Sequence, residues 1–115
     1  MKEKIKQAVM ELLYKNNDYS FSELVSELAN QGLPVKGDRA IYVKKNLIIW
    51  DGTTADFNNA IVELEKANKI LMKPLSPTEA LIAYAYDGVM LDLPMADRIE
   101  NYSTPHWIPT IIKLK

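Results

Sequence analysis

The chain has one histidine, no cysteine and four glycines standing singly at Gly32, Gly37, Gly52 and Gly88. That inventory limits the chemistry. Without cysteine there is neither a disulfide nor a thiolate metal site. His106 lies between Pro105 and Trp107, with no second histidine and no closely spaced carboxylates to complete a ligand set. Its plainer role is that of an ordinary, partly exposed side chain. Asp87, Asp92, Asp97 and Glu100 form a loose acidic series that holds a hard cation only if the fold gathers it. A solvated acidic surface is the simpler expectation. Isolated glycines make no phosphate-cradling loop. Ser20, Ser22 and Ser26 have no base in reach along the sequence and suit caps and helix surfaces. No catalytic constellation, metal site or cofactor is expected.

Binding residues are easier to find. Lys36, Arg39, Lys44 and Lys45 place four cations within ten residues, diluted by Asp38, with Tyr42 among them. Such a group can follow a phosphate backbone while Tyr42 or Trp50 stacks on an unpaired base, a contact worth about 1–3 kcal/mol. The plainer alternative is a solvated strand edge on which lysine discourages edge-to-edge pairing. Lys2, Lys4 and Lys6 add charge but alternate with Glu3 and suit a helix start. A second candidate is the helical stretch 53–69. Its outward residues Thr54, Ala55, Asn58, Asn59, Val62 and Lys66 would meet base edges if it lay in a major groove. Asp56, Glu63 and Glu65 on the same stretch oppose that use, because they repel phosphate. The net charge of −1 gives no global pull toward nucleic acid.

The elements that must position these residues follow from periodicity. At 115 residues, 48% hydrophobic and 25% charged, the chain suits one domain with a real core. Residues 2–16 form a helix with Ile5, Ala8, Val9, Leu12 and Leu13 on one stripe. Ser20 and Glu23 form a capping box for a second helix, which Gly32 and Pro34 end. Residues 35–50 read as one or two short strands with a turn at 44–46, or as a brief helix over 38–45. Residues 53–69 form a third helix capped by Thr53, with Phe57, Ala60, Ile61 and Leu64 inward. Residues 70–73 and 80–86 form a hairpin through the turn-rich 74–79. Asp87-Gly88 makes a turn, 89–94 a short strand and 95–101 a brief helix. Residues 107–114 make a last strand, which Pro109 places at a sheet edge. The fold class is α+β: three helices, a small antiparallel sheet or hairpin, and a C-terminal extension. The domain division is a core over 1–87 with 88–115 packed on it.

Surplus apolar residues point to a protein partner, or to regions that cover one another. They are Met10 and Tyr14 on the outer face of the first helix, Ile82, Tyr84 and Tyr86 in the doubly apolar 81–86 run, and Trp107 beside Tyr102 in the tail. No apolar run is long enough for a membrane span, and the first residues lead into an amphipathic pattern and not a signal core, so a cytoplasmic protein is expected.

The order helix, helix, short strand, helix, hairpin over 3–87 resembles a winged-helix domain. The capped helices at Ser20 and Thr53 and the 70–86 hairpin carry the likeness. The inserted 35–50 segment and the acids on the third helix depart from it. The length and the opening Met1-Lys2-Glu3-Lys4-Ile5 are similar to those of the small middle proteins that accompany the A-family polymerase-like primase of staphylococcal cassette-chromosome elements. That likeness implies a non-catalytic replication accessory that helps a primase or polymerase engage single-stranded DNA. The alternatives are a dimeric transcriptional regulator on duplex DNA and a pure protein-interaction module.

Overall fold

The computed structural model describes residues 1–85 and 89–115. Tyr86, Asp87 and Gly88 lie outside the described residues, and with them the expected Asp87-Gly88 turn and the contact role of Tyr86. The order is α1 (Lys2–Asn16), β1 (Asp18–Ser20), α2 (Phe21–Asn30), β2 (Lys36–Lys44), β3 (Leu47–Thr53), α3 (Ala55–Lys66), β4 (Ile70–Pro74), α4 (Pro77–Ala85), β5 (His106–Trp107) and β6 (Thr110–Leu114). The class is α+β. Among the described residues, no helix is long and apolar enough to cross a membrane.

α1 forms where its stripe predicts, and Ile5, Val9 and Leu13 are fully buried. α2 begins on the expected capping box: Ser20 Oγ accepts from the Glu23 N–H at 3.0 Å, and the Glu23 carboxylate accepts from the Ser20 N–H at 3.4 Å. It closes at Gly32, whose φ of +83° a residue with a Cβ would resist. α3 is shorter than the 53–69 stretch, and its cap is one residue later. Thr54 Oγ1 accepts from the Phe57 N–H, while Thr53 belongs to β3 and is buried. The buried stripe of Phe57, Ala60, Ile61 and Leu64 is the expected one.

Two three-stranded sheets flank these helices. One has the order β1-β6-β4, all antiparallel, with Tyr19 and Met72 on either side of Ile112. The other has the order β2-β3-β5. In it β2 and β3 form an antiparallel hairpin, and β5 runs parallel to β3 through Ile48 opposite Trp107. Residues 35–50 therefore resolve into the two-strand reading, and the brief helix over 38–45 does not form.

Three expectations fail, each for a local reason. The 70–86 hairpin is not present: β4 is followed by helix α4. Ser76 Oγ accepts from the Glu79 N–H and the Glu79 carboxylate accepts from the Ser76 N–H, a second capping box with Pro77 in the first turn. Ala80 and Tyr84 are buried one helical turn apart, whereas Leu81 and Ile82 face water. The 107–114 strand splits at Pro109, whose missing N–H ends the ladder and whose carbonyl accepts from the Leu75 N–H at 2.8 Å. The two halves join different sheets, and β6 becomes a central strand, not an edge. Residues 89–101 form neither the short strand nor the brief helix. They run as irregular chain anchored by a parallel bridge from Met95 to Trp107. Residues 89–115 thus supply a central strand to one sheet and a parallel strand to the other.

The three longer helices meet the sheets in one core. At its centre Trp50, Tyr84 and Trp107 form an aromatic cluster. Tyr84 lies edge-on to Trp107 at 5.1 Å between ring centroids and 5.4 Å from Trp50.

Candidate nucleic-acid interface

Lys36, Arg39, Tyr42, Lys44 and Lys45 are all exposed on the β2–β3 hairpin. β2 is the edge of its sheet, while β3 is buried at Leu47, Ile48, Ile49 and Trp50, so the hairpin shows water mainly its β2 side. The register slips between Lys36 and Arg39, Arg39 and Ala40, Ile41 and Tyr42, and Tyr42 and Lys44. Such irregularities, with lysine, keep an edge from pairing with another chain. Among the described residues none of the four hairpin cations has an ion-pair partner, whereas Lys2 and Lys6 both pair with Glu63, at 2.6 and 3.3 Å. The hydrogen bond from Lys2 holds the Glu63 carboxyl below its ordinary value and raises the Lys2 ammonium above its own. The amino-terminal lysines thus tie α1 to α3.

The hairpin tip is braced by the C-terminal segment. The Lys45 N–H donates to Asn101 Oδ1 at 3.1 Å, and the Tyr102 N–H donates to the Lys45 carbonyl at 3.1 Å. Asn46, at φ 56°, donates from Nδ2 to the Tyr102 carbonyl at 3.0 Å and accepts at its own carbonyl from the His106 N–H at 2.8 Å. Asparagine tolerates this left-handed backbone better than most residues. His106 is half-buried, stacked on Tyr102 at 4.0 Å. Its Nδ1 lies 2.8 Å from the Thr104 carbonyl, which can only accept, so the proton sits on Nδ1. Its role is to brace the hairpin.

Two of the outward polar residues of α3 are engaged in the fold. Thr54 caps the helix and donates to the Pro34 carbonyl at 2.8 Å. Asn58 is half-buried: its Nδ2 donates to the Ala40 carbonyl at 3.2 Å, and its Oδ1 accepts from the Thr53 hydroxyl at 2.6 Å. Of the outward residues named for base reading, Asn58 is therefore a strut between α3 and the hairpin; Asn59 and Lys66 remain exposed. Asn58→Ala should destabilise the fold by about 1 kcal/mol, because it removes the donor to the Ala40 carbonyl and one acceptor of the Thr53 hydroxyl, which keeps the Arg39 carbonyl at 3.2 Å. It should leave any nucleic-acid affinity unchanged. Urea unfolding and a binding titration on the same preparation check both halves.

Comparison with protein-family models, with curated proteins and with solved structures finds no match to the chain.

The expected partner residues divide. Tyr84 and Trp107 are both at 0% exposure and belong to the core, which corrects their assignment to a contact surface. Both were aromatic residues in apolar runs, and burial, not contact, is the commoner use of such residues. Met10 is half-buried against the core. Tyr14 is 72% exposed and Ile82 is 74% exposed, so both stand in water, and Leu81 joins Ile82 on the outer face of α4.

A cleft of about 270 Å³ that no sequence pattern marks as a whole lies between the hairpin, α3, β4, Ile99 and the 108–110 segment entering β6. Ile41, Tyr42, Val43, Val62 and Ile99 are among its lining residues, and Glu65 is its one carboxylate. Tyr42, Val43, Val62 and Ile99 are also among the large apolar residues left exposed. The signal was present at Val62 and Ile99, apolar residues off their elements' buried stripes. Their convergence depends on how α3 and the C-terminal segment pack on the hairpin. Among the described residues, no group of three His, Asp or Glu side chains comes together.

Proposed function

We propose that the chain is a non-catalytic, cytoplasmic accessory protein, built on a winged-helix plan, that carries single-stranded nucleic acid on its β2–β3 hairpin beside a primase or polymerase partner. The observation that carries the reading is the hairpin itself: Lys36, Arg39, Lys44 and Lys45 are exposed and without ion partners among the described residues, and Tyr42 is 59% exposed among them. Cations that stabilise no fold contact are available to phosphate, and an exposed ring on the same strand is available to a base.

Support for the winged-helix plan comes from chain order. With β2–β3 and the α4-to-β5 excursion set aside, what remains is helix, strand, helix, helix, strand, strand. The three strands pair in the order β1-β6-β4, so the first strand lies beside the last. On this plan the hairpin is an insertion between the second and third helices, and α4 occupies the wing. Single strands are favoured over duplex because the polar base-readers of α3 at Thr54 and Asn58 are engaged in the fold. A protein partner is supported by Leu81 and Ile82, which leave an aliphatic pair of α4 in water.

The test is salt-dependent binding of a labelled single strand, read by anisotropy. Four phosphate contacts predict a slope of log affinity against log salt of about −3, from roughly −0.7 per contact on single strands. Lys44→Glu with Lys45→Glu should abolish binding at moderate salt. Absence of wild-type binding at low salt, alone and with a primase or polymerase present, overturns the reading.

A further inference from the structure

We propose that the cleft beside Tyr42 seats one unpaired nucleobase of the strand that the hairpin carries. The inference rests on the nucleic-acid reading above and goes beyond it by assigning an apolar pocket, and its occupant, that the hairpin cations alone do not require.

Size is the first argument. At about 270 Å³ the cleft falls just under the range of pockets for drug-sized ligands, roughly 300–1,000 Å³. It has room for one aromatic ring system. The lining is the second. Ile41, Val43, Val62 and Ile99 line it with aliphatic side chains, and Tyr42 is among the lining residues. Tyr42, Val43, Val62 and Ile99 stay exposed in the free protein, and clustered exposed apolar side chains mark an interaction site.

Charge selects the occupant. Lys44 follows Tyr42 by two residues, at most about 7 Å along the strand, which is irregular between them, and that is the scale of one nucleotide step. An apolar seat with a cation at that distance is complementary to a flat ring joined to a phosphate. Glu65, the one carboxylate among the lining residues, disfavours any anionic group inside the cleft, so the ring enters while its phosphate stays outside at the hairpin cations. A base brings a ring N–H or an amino group, and a Glu65 carboxylate oxygen accepts a hydrogen bond from it. The base therefore enters with a donor edge toward α3.

The test compares two probes of equal charge, a twelve-residue deoxyadenosine strand and a strand of the same length in which every base is replaced by an abasic tetrahydrofuran. The wild-type protein should bind the base-bearing strand about tenfold more tightly, in line with base–aromatic stacking. Val62→Trp fills the cleft from an exposed helix position. It should reduce that preference to twofold or less while leaving affinity for the abasic strand and the salt slope unchanged. Ile99→Trp fills it from the other wall and serves if Val62→Trp does not fold. A filled cleft that keeps the full preference overturns the proposal and leaves the hairpin reading intact, and the cleft is then a protein contact. Equal wild-type affinity for both strands overturns it in the same way. Failure of the wild type to bind either strand at low salt overturns both readings.

Discussion

Replacing Tyr84 by alanine should lower the unfolding free energy by about 3–5 kcal/mol, the range for removing a fully buried large aromatic. For a domain with a stability of roughly 5–15 kcal/mol, that is a large share. The residue joins three parts of the chain. Its ring packs against Trp50 and Trp107, and its hydroxyl accepts from the Phe21 N–H at 3.0 Å at the start of α2. The same hydroxyl donates to the Thr110 carbonyl at the start of β6. Tyr84→Phe separates the two contributions. It keeps the ring and removes the hydroxyl from both buried backbone partners, so about 1–3 kcal/mol should be lost. Urea unfolding of the two variants, at unchanged m-value, gives the comparison. A Tyr84→Phe protein as stable as wild type would show that the hydroxyl bridge contributes nothing.

Trp107→Ala should cost a similar amount, about 3–5 kcal/mol. Trp107 has 0% exposure, and its Nε1–H donates to the Ile49 carbonyl at 3.0 Å. Its backbone holds the irregular 89–105 chain in place, with its N–H donating to the Pro94 carbonyl at 2.9 Å and its carbonyl accepting from the Ala96 N–H at 2.8 Å. Because Tyr84 and Trp107 touch edge to face, their losses should not add. The double alanine variant should be less destabilised than the sum by roughly 0.5–1.5 kcal/mol, the measured worth of an aromatic pair. A double-mutant cycle read by denaturant unfolding checks this. Additive losses would show that the two rings stabilise the core independently.

Both predictions concern residues that look like contact residues in the sequence. Tyr84 lies in a run apolar at every position, and alternation alone assigns it to a strand with one face needing cover. The helix signal was nonetheless present four residues upstream. Ser76-Pro77-Thr78-Glu79 is a capping box with proline in the first turn, the same kind of signal that correctly starts α2 at Ser20. Pro74 and Pro77 together weigh toward a turn, and the box lies hidden inside it. The slip at Thr53 is of another kind. Adjacent threonines offer two equivalent caps, and only the burial of Thr53 against Asn58 selects Thr54. β1 is three residues long and has no pattern of its own; it exists because β6 offers a partner.

Local chemistry alone determined three helices and their buried stripes, the ends of α2, and the class of side chain on the hairpin. Those features rest on spacing within a turn or two of helix, where cause and effect lie a few residues apart. The tertiary structure decided the rest. It made β6 a central strand, turned Asn58 from a base-reader into a strut, buried Tyr84 and Trp107, and brought Val62 and Ile99 to the hairpin's side. Each of those outcomes depends on groups far apart in the chain. A backbone N–H, a carbonyl or an apolar face has many local ways to be satisfied, and only the packed whole selects which distant partner satisfies it.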